Sequence, residues 1–80
     1  MKTPRDLSGR ELANGLCRRW AYREVRQTGS HIILRTEIPH GQTLPIPTHK
    51  PLRTGTLNAI LRLVANHKGA SVDVILEAIL

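Results

Sequence analysis

Apolar positions recur along this chain with two different periods, and the switches between them mark its elements. Ser8 is followed three residues later by Glu11, and Leu12, Leu16 and Trp20 then repeat at helical spacing. A hydroxyl N-cap with a glutamate at the third helical position is a capping box, so the pattern predicts a first helix from about Gly9 to Trp20. Gly15 inside that helix costs roughly 1 kcal/mol relative to alanine, which points either to close packing there or to simple weakness. From Tyr22 the period becomes two, with Tyr22, Glu24 and Arg26 on one side and Arg23, Val25 and Gln27 on the other. Thr28-Gly29 turns the chain, His31 to Glu37 supplies a second β run, Ile38 to Gly41 is turn material, and Gln42 to Pro47 forms a third run. Pro45 and Pro47 share a parity and lack a backbone N–H, which places the third strand at a sheet edge.

After the loop His49 to Arg53 the helical period returns in Leu57, Ile60, Leu61 and Val64, with Gly69 as its stop. Ser71 and Asp73 open a last short helix carrying Val72, Ile75, Leu76 and Ile79. The expectation is an α+β fold in the order α-β-β-β-α: a three-stranded antiparallel meander with helices packed on one face, plus a short C-terminal helix. Residues 1–80 are expected to form a single domain, with its core in about 8–65 and 66–80 as a helical appendage.

Charge changes the picture from fold to partner. Twelve Lys plus Arg against six Asp plus Glu give a formal net charge of +6 and a sequence pI of about 10.8. Ten of the twelve basic residues lie at or before Arg53. A small basic domain suits a polyanion, either nucleic acid or an acidic protein. Cys17 is the single cysteine, so no disulfide or thiolate cluster forms within one chain, and its place on a helix side marks it as a small apolar filler. No stretch approaches the roughly 18 apolar residues of a membrane span. The start, MKTPRDLSGR, lacks the apolar core of a secretion signal, and the expected compartment is the cytoplasm.

His31 follows a Gly29-Ser30 turn at the mouth of an apolar β run. Taken alone, it is open to three readings: a structural histidine bonding a carbonyl near the turn, a metal ligand, or a proton carrier. Metal binding is disfavoured because His40, His49 and His67 show no i, i+4 pairing and no Cys or acidic cluster accompanies them. Simple alternation puts His31, Ile33 and Arg35 on one side of the second strand and Ile32, Leu34 and Thr36 on the other.

Four segments together, SGREL (Ser8–Leu12), VRQTGSHIILR (Val25–Arg35), LPIPTH (Leu44–His49) and TGTLNAILRLV (Thr54–Val64), resemble the HicA, or YcfA-like, toxins of type II toxin-antitoxin pairs. The resemblance implies a fold similar to a double-stranded-RNA-binding domain and a ribonuclease that cuts messenger RNA. It implies that His31, the histidine of the GSH element, is catalytic, and that a HicB-type antitoxin covers the site. The family usually has Gly-Phe where this chain has Ala21-Tyr22; an alanine forced into left-handed cap geometry there costs around 1 kcal/mol more than glycine. The stretch from Asn66 to Leu80 matches the family only loosely.

RNA carries its own nucleophile in the 2′-hydroxyl, so such an enzyme needs no metal and no other cofactor. It needs a group to take the 2′ proton, a group to protonate the departing 5′ oxygen, and positive charge at the phosphate. Histidine, with an unperturbed pKa of about 6.5, suits the proton transfers, and arginine's planar fork suits the phosphate. His31 is therefore expected as general acid or base, steadied by Gly29 and Ser30, and the product is a 2′,3′-cyclic phosphate with a free 5′-hydroxyl. His49 is a candidate second proton donor, though capping the next helix or sitting in solvent serves as well. Arg26, Gln27 and Arg35, with Lys50 and Arg53 beside the Thr54-Gly55-Thr56 amides, are candidate RNA contacts. Trp20 and Tyr22 are the aromatic residues, and Trp20 is expected in the core, which makes aromatic stacking of bases a weak prospect. Free toxin is expected to be monomeric. Two other functions share these features: a non-catalytic RNA-binding module, and a protein whose main task is to bind an acidic partner.

Overall fold

Ser8 starts the first helix, α1 (Gly9–Arg19), as its spacing to Glu11 requires. In the computed structural model, which describes residues 6–80, the Ser8 hydroxyl accepts from Glu11 N–H at 3.1 Å and the Glu11 carboxylate accepts from Ser8 N–H at 3.0 Å. Those two bonds hold the Glu11 carboxyl below its usual range. The first five residues of MKTPRDLSGR lie outside the described part, so the reading of that stretch as no secretion signal is untouched by the structure. Leu12 and Leu16 are fully buried, whereas Trp20, expected in the core, is only partly buried at its margin. It stands at the C-cap, one step beyond the last helical residue, and its buried indole N–H has no partner among the described residues. Gly15 is there for packing: a Cβ on it would lie 2.6 Å from Cβ of Ile79 in the last helix.

The strands β1 (Arg23–Thr28), β2 (His31–Thr36) and β3 (Gln42–Pro47) form one antiparallel sheet in the order β1-β2-β3. Both proline-bearing β3 and fully exposed β1 are edges, and β2 is central. Ile32 and Leu34 of β2 pair with Ile46 and Leu44 of β3, and all four are buried. His31, Ile33 and Arg35 alternate with them onto the open face.

The alternation expected for β1 is overturned. Glu24 pairs with Leu34 and Arg26 with Ile33, so Val25 is an extra, bulged residue without an opposite partner. A bulge shifts the remainder of its strand by one face. Directly opposed residues share a face, so Arg23, Arg26 and Thr28 lie on the open side, while Glu24 and Gln27 lie on the helix side.

Helix α2 (Thr54–Lys68) buries Leu57, Ile60, Leu61 and Val64 and ends at Gly69 in left-handed geometry. Helix α3 (Val72–Ile79) is capped by the Ser71 hydroxyl, which accepts from Val74 N–H. It places Ile75, Leu76 and Ile79 in the same apolar cluster as Leu12, Leu34 and Leu61. The architecture is thus α+β, with every buried sheet side chain turned toward the helices.

At the end of the sheet away from His31, Tyr22 is buried with its hydroxyl donating to Gln42 Oε1, and the Lys68 ammonium stands 4.6 Å from its ring centroid. Lys68 also donates to Thr36 Oγ1 at 3.0 Å and to the Ile38 carbonyl. Burial pushes the Tyr22 phenol up to about 12 and draws the Lys68 ammonium below its usual value.

Two outcomes follow. Ala21 holds φ 63°, the left-handed cap geometry that favours glycine, so Ala21→Gly is expected to stabilise the fold by about 1 kcal/mol in denaturant unfolding. Tyr22 is the single tyrosine, so phenolate absorbance reports it alone. It is expected to rise near pH 12 in the folded protein and near pH ~10 in denaturant. The raised value means the stabilisation is complete below the unfolded pKa and is lost as pH climbs from there through the folded one.

Candidate functional site

A two-residue turn sets the position of His31. Gly29 has φ +52°, the sign that the first central position of a tight hairpin turn favours and that glycine adopts without steric penalty. Thr28 and His31 pair across that turn, so His31 is the first residue of β2 and is exposed. The Ser30 hydroxyl lies 3.4 Å from His31 Nδ1, close enough to bias which ring nitrogen carries the proton.

The turn is tied to two other segments by main-chain hydrogen bonds. Ser30 C=O accepts from Thr48 N–H at 2.8 Å and from the Thr48 hydroxyl at 3.2 Å. One residue on, His49 C=O accepts from Gly9 N–H at 3.0 Å, and Leu52 N–H donates to Leu7 C=O at 2.8 Å. The hairpin turn, the β3–α2 loop and the start of α1 therefore meet at one end of the molecule. That end carries His31, His49, Lys50 and Arg53, all exposed. Lys50 is near enough to Glu11 to add to the lowering of its carboxyl, after the two Ser8 bonds.

Arg53 is the N-cap of α2, with no side-chain cap and no acidic residue in the first turn. The exposed Thr54 and Gly55 put the positive end of a 15-residue helix, with no acidic residue in its first turn, beside Lys50 and Arg53. Phosphate oxygens are the natural complement of such an arrangement.

Three of the sequence candidates lie elsewhere. Arg35 is four residues from His31 along β2, about 13 Å. Its fork is engaged by Glu37 at 2.8 and 3.3 Å and by the Thr43 hydroxyl at 2.9 Å. That ion pair, with Arg23 at 4.0 Å, holds the Glu37 carboxyl low and leaves Arg35 little free charge. Gln27 is on the helix side, where its side-chain oxygen accepts from Arg10 Nη2 at 2.9 Å. Arg26 is on the open face opposite Ile33, one rung from His31, with no ion pair among the described residues.

No local sequence pattern marks Arg10, Gly9 or Thr48 as a site-builder. Arg10 staples α1 to β1 through Glu24 at 2.7 Å and Gln27. Its partners are 14 and 17 residues away, beyond any local pattern. His40 and His67, far apart in sequence, also meet: their rings are 4.3 Å apart, edge to face, with His67 Nε2 2.8 Å from His40 C=O. Among the described residues no three His, Cys, Asp or Glu side chains cluster as metal ligands would. None of the described helices is long and apolar enough to cross a membrane.

Gly9 is buried where α1 meets the chain leaving β3, and a Cβ built on it would run into the Pro47 carbonyl oxygen. Helix propensity alone favours alanine by about 1 kcal/mol. Gly9→Ala is nevertheless expected to destabilise the protein by about 2 kcal/mol in denaturant unfolding, because the main chain must move apart.

Comparison with known proteins adds one result to this geometry. The family model of the HicA toxin of bacterial toxin-antitoxin systems matches residues 18–65, from the last turn of α1 through most of α2. No curated protein and no solved structure matches the chain. The matched stretch holds the whole sheet, the Gly29-Ser30-His31 turn and the loop with His49, Lys50 and Arg53. The chain therefore belongs to the HicA toxin family of bacterial toxin-antitoxin systems.

Proposed function

We propose that this toxin is an endoribonuclease that cleaves messenger RNA without a metal ion, with His31 as its general acid or base. The observation that carries the proposal is an exposed histidine on a hydrogen-bonded turn, fused to a basic loop with a second exposed histidine. His31 takes the proton of a 2′-hydroxyl, whose oxygen then attacks the adjacent phosphorus. The bond from phosphorus to the 5′ oxygen breaks, leaving a 2′,3′-cyclic phosphate. The departing 5′ oxygen receives a proton from a second group, for which His49 is the proposed donor. Ser30 steadies the His31 ring through Nδ1, and Gly29 fixes the backbone beneath it.

Lys50 and Arg53, beside the open amides of α2, hold the phosphate and stabilise charge as it builds on the equatorial oxygens. Arg26 reaches the same strand of RNA from the open face, whereas Gln27 and Arg35 are engaged within the protein and take a smaller part. The family implies a cognate antitoxin. A HicB-like acidic protein covering the basic end excludes RNA from His31, and the free toxin acts as a monomer.

Incubation of purified protein with messenger RNA tests this directly. His31→Ala is expected to slow cleavage by about 10² to 10⁴-fold. Products should carry 2′,3′-cyclic phosphate and 5′-hydroxyl ends, chelators should have no effect, and RNA affinity should fall steeply with salt. Undiminished cutting by His31→Ala would sink the assignment. Salt-sensitive binding without any cleavage would leave only an RNA-binding module.

A further inference from the structure

Strand register lays three rungs across the open face of the sheet. They are Thr28–His31–Pro47 at the proposed catalytic end, Arg26–Ile33–Pro45 in the middle, and Arg23–Arg35–Thr43 at the far end. The middle rung differs in kind from the others. Its centre is apolar, a half-buried Ile33 beside an exposed Pro45, and it sits about 7 Å from His31 along the strand. An isoleucine and a proline ring on a central and an edge strand present a flat, rigid surface with little rotamer entropy to lose.

Neither aromatic ring offers such a surface here. Tyr22 is buried beneath Lys68, Trp20 packs at the core margin, and the chain has no phenylalanine. Around the plate the charge is positive: Arg26 has no ion pair among the described residues. The carboxylate that reaches these rungs, Glu37, is already held by Arg35 and Arg23.

We propose that the Ile33–Pro45 plate seats the base next to the scissile phosphate of a single-stranded RNA, making Ile33 a specificity-determining residue. The inference rests on the nuclease reading above. A single strand exposes base faces that stack on apolar surface, whereas a duplex hides them between neighbouring pairs. The plate lies one rung from His31, and Arg26 at the β1 edge of that rung meets the phosphate that follows.

Binding in the His31→Ala background separates the two proposals, since no cleavage intervenes. With a single-stranded RNA oligonucleotide as probe, the Ile33 methyl resonances are expected to move upfield through the ring current of a stacked base. Ile33→Ser, which removes the plate without adding charge, is expected to weaken binding about fivefold, and Ile33→Tyr to tighten it by a similar factor. In the cleaving protein the same two changes should reorder the preferred cut sites while the circular dichroism of the folded protein stays the same. Folded Ile33 variants with unaltered affinity and cut sites overturn the seat but leave the nuclease standing. Variants that weaken only the binding of the acidic antitoxin overturn it in favour of a protein-binding face. If the His31→Ala protein binds no single-stranded RNA, the nuclease reading itself fails.

Discussion

The approach of α1 to the end of β3 governs the geometry on which the proposed chemistry relies. Gly9 N–H donates to His49 C=O, and Thr48 N–H donates to Ser30 C=O on the neighbouring residue of the same loop. These two bonds hold three segments far apart in sequence at fixed separations, and both need the backbones nearly touching. Only a residue without a Cβ permits this at position 9, since the Pro47 carbonyl occupies the space a side chain would take. Because main-chain bonds do this work, His31, His49, Lys50 and Arg53 are positioned by the fold and stay exposed.

The sheet divides its labour by face. One side carries Ile32, Leu34, Leu44 and Ile46 into a core completed by all three helices, and the other carries His31, Ile33 and Arg35 outward. Burial of large aliphatic side chains, at about 1.5 to 3 kcal/mol each, sustains the first side, so the second carries only surface contacts such as the Arg35–Glu37–Thr43 group. The bulge at Val25 extends this division to β1 by bringing Arg23 and Arg26 onto the open face together. Glu24 and Gln27 go to the other side and are spent on Arg10, which fastens α1 to the sheet edge.

The opposite end of the molecule is closed by polar contacts. Lys68 spans from α2 to Thr36, Ile38 and the Tyr22 ring, and His67 meets His40 across the turn between β2 and β3. Desolvation lowers the Lys68 ammonium and raises the Tyr22 phenol because neither charged form is well solvated there. The polar inventory of this small protein thus sorts into an end whose groups satisfy one another and an end whose groups remain exposed.

Sequence determined whatever depends on local spacing. The capping box at Ser8, the extent of β3, its edge position from Pro45 and Pro47, and the facing of β2 are all short-range consequences of periodicity and backbone chemistry. So are the stop at Gly69 and the cap at Ser71. The GSH turn and the basic loop were legible as motifs for the same reason. Tertiary structure alone decided the rest. A single unpaired residue, Val25, parted Arg26 from Glu24 and Gln27 from Arg23, and nothing in the local pattern marks a bulge. Arg35 spent its charge on Glu37 and Thr43, which depends on strand pairing. Gly9 and Gly15 owe their identities to Pro47 and Ile79, tens of residues away. Periodicity tells which way a side chain points, but only the packed fold tells what it meets.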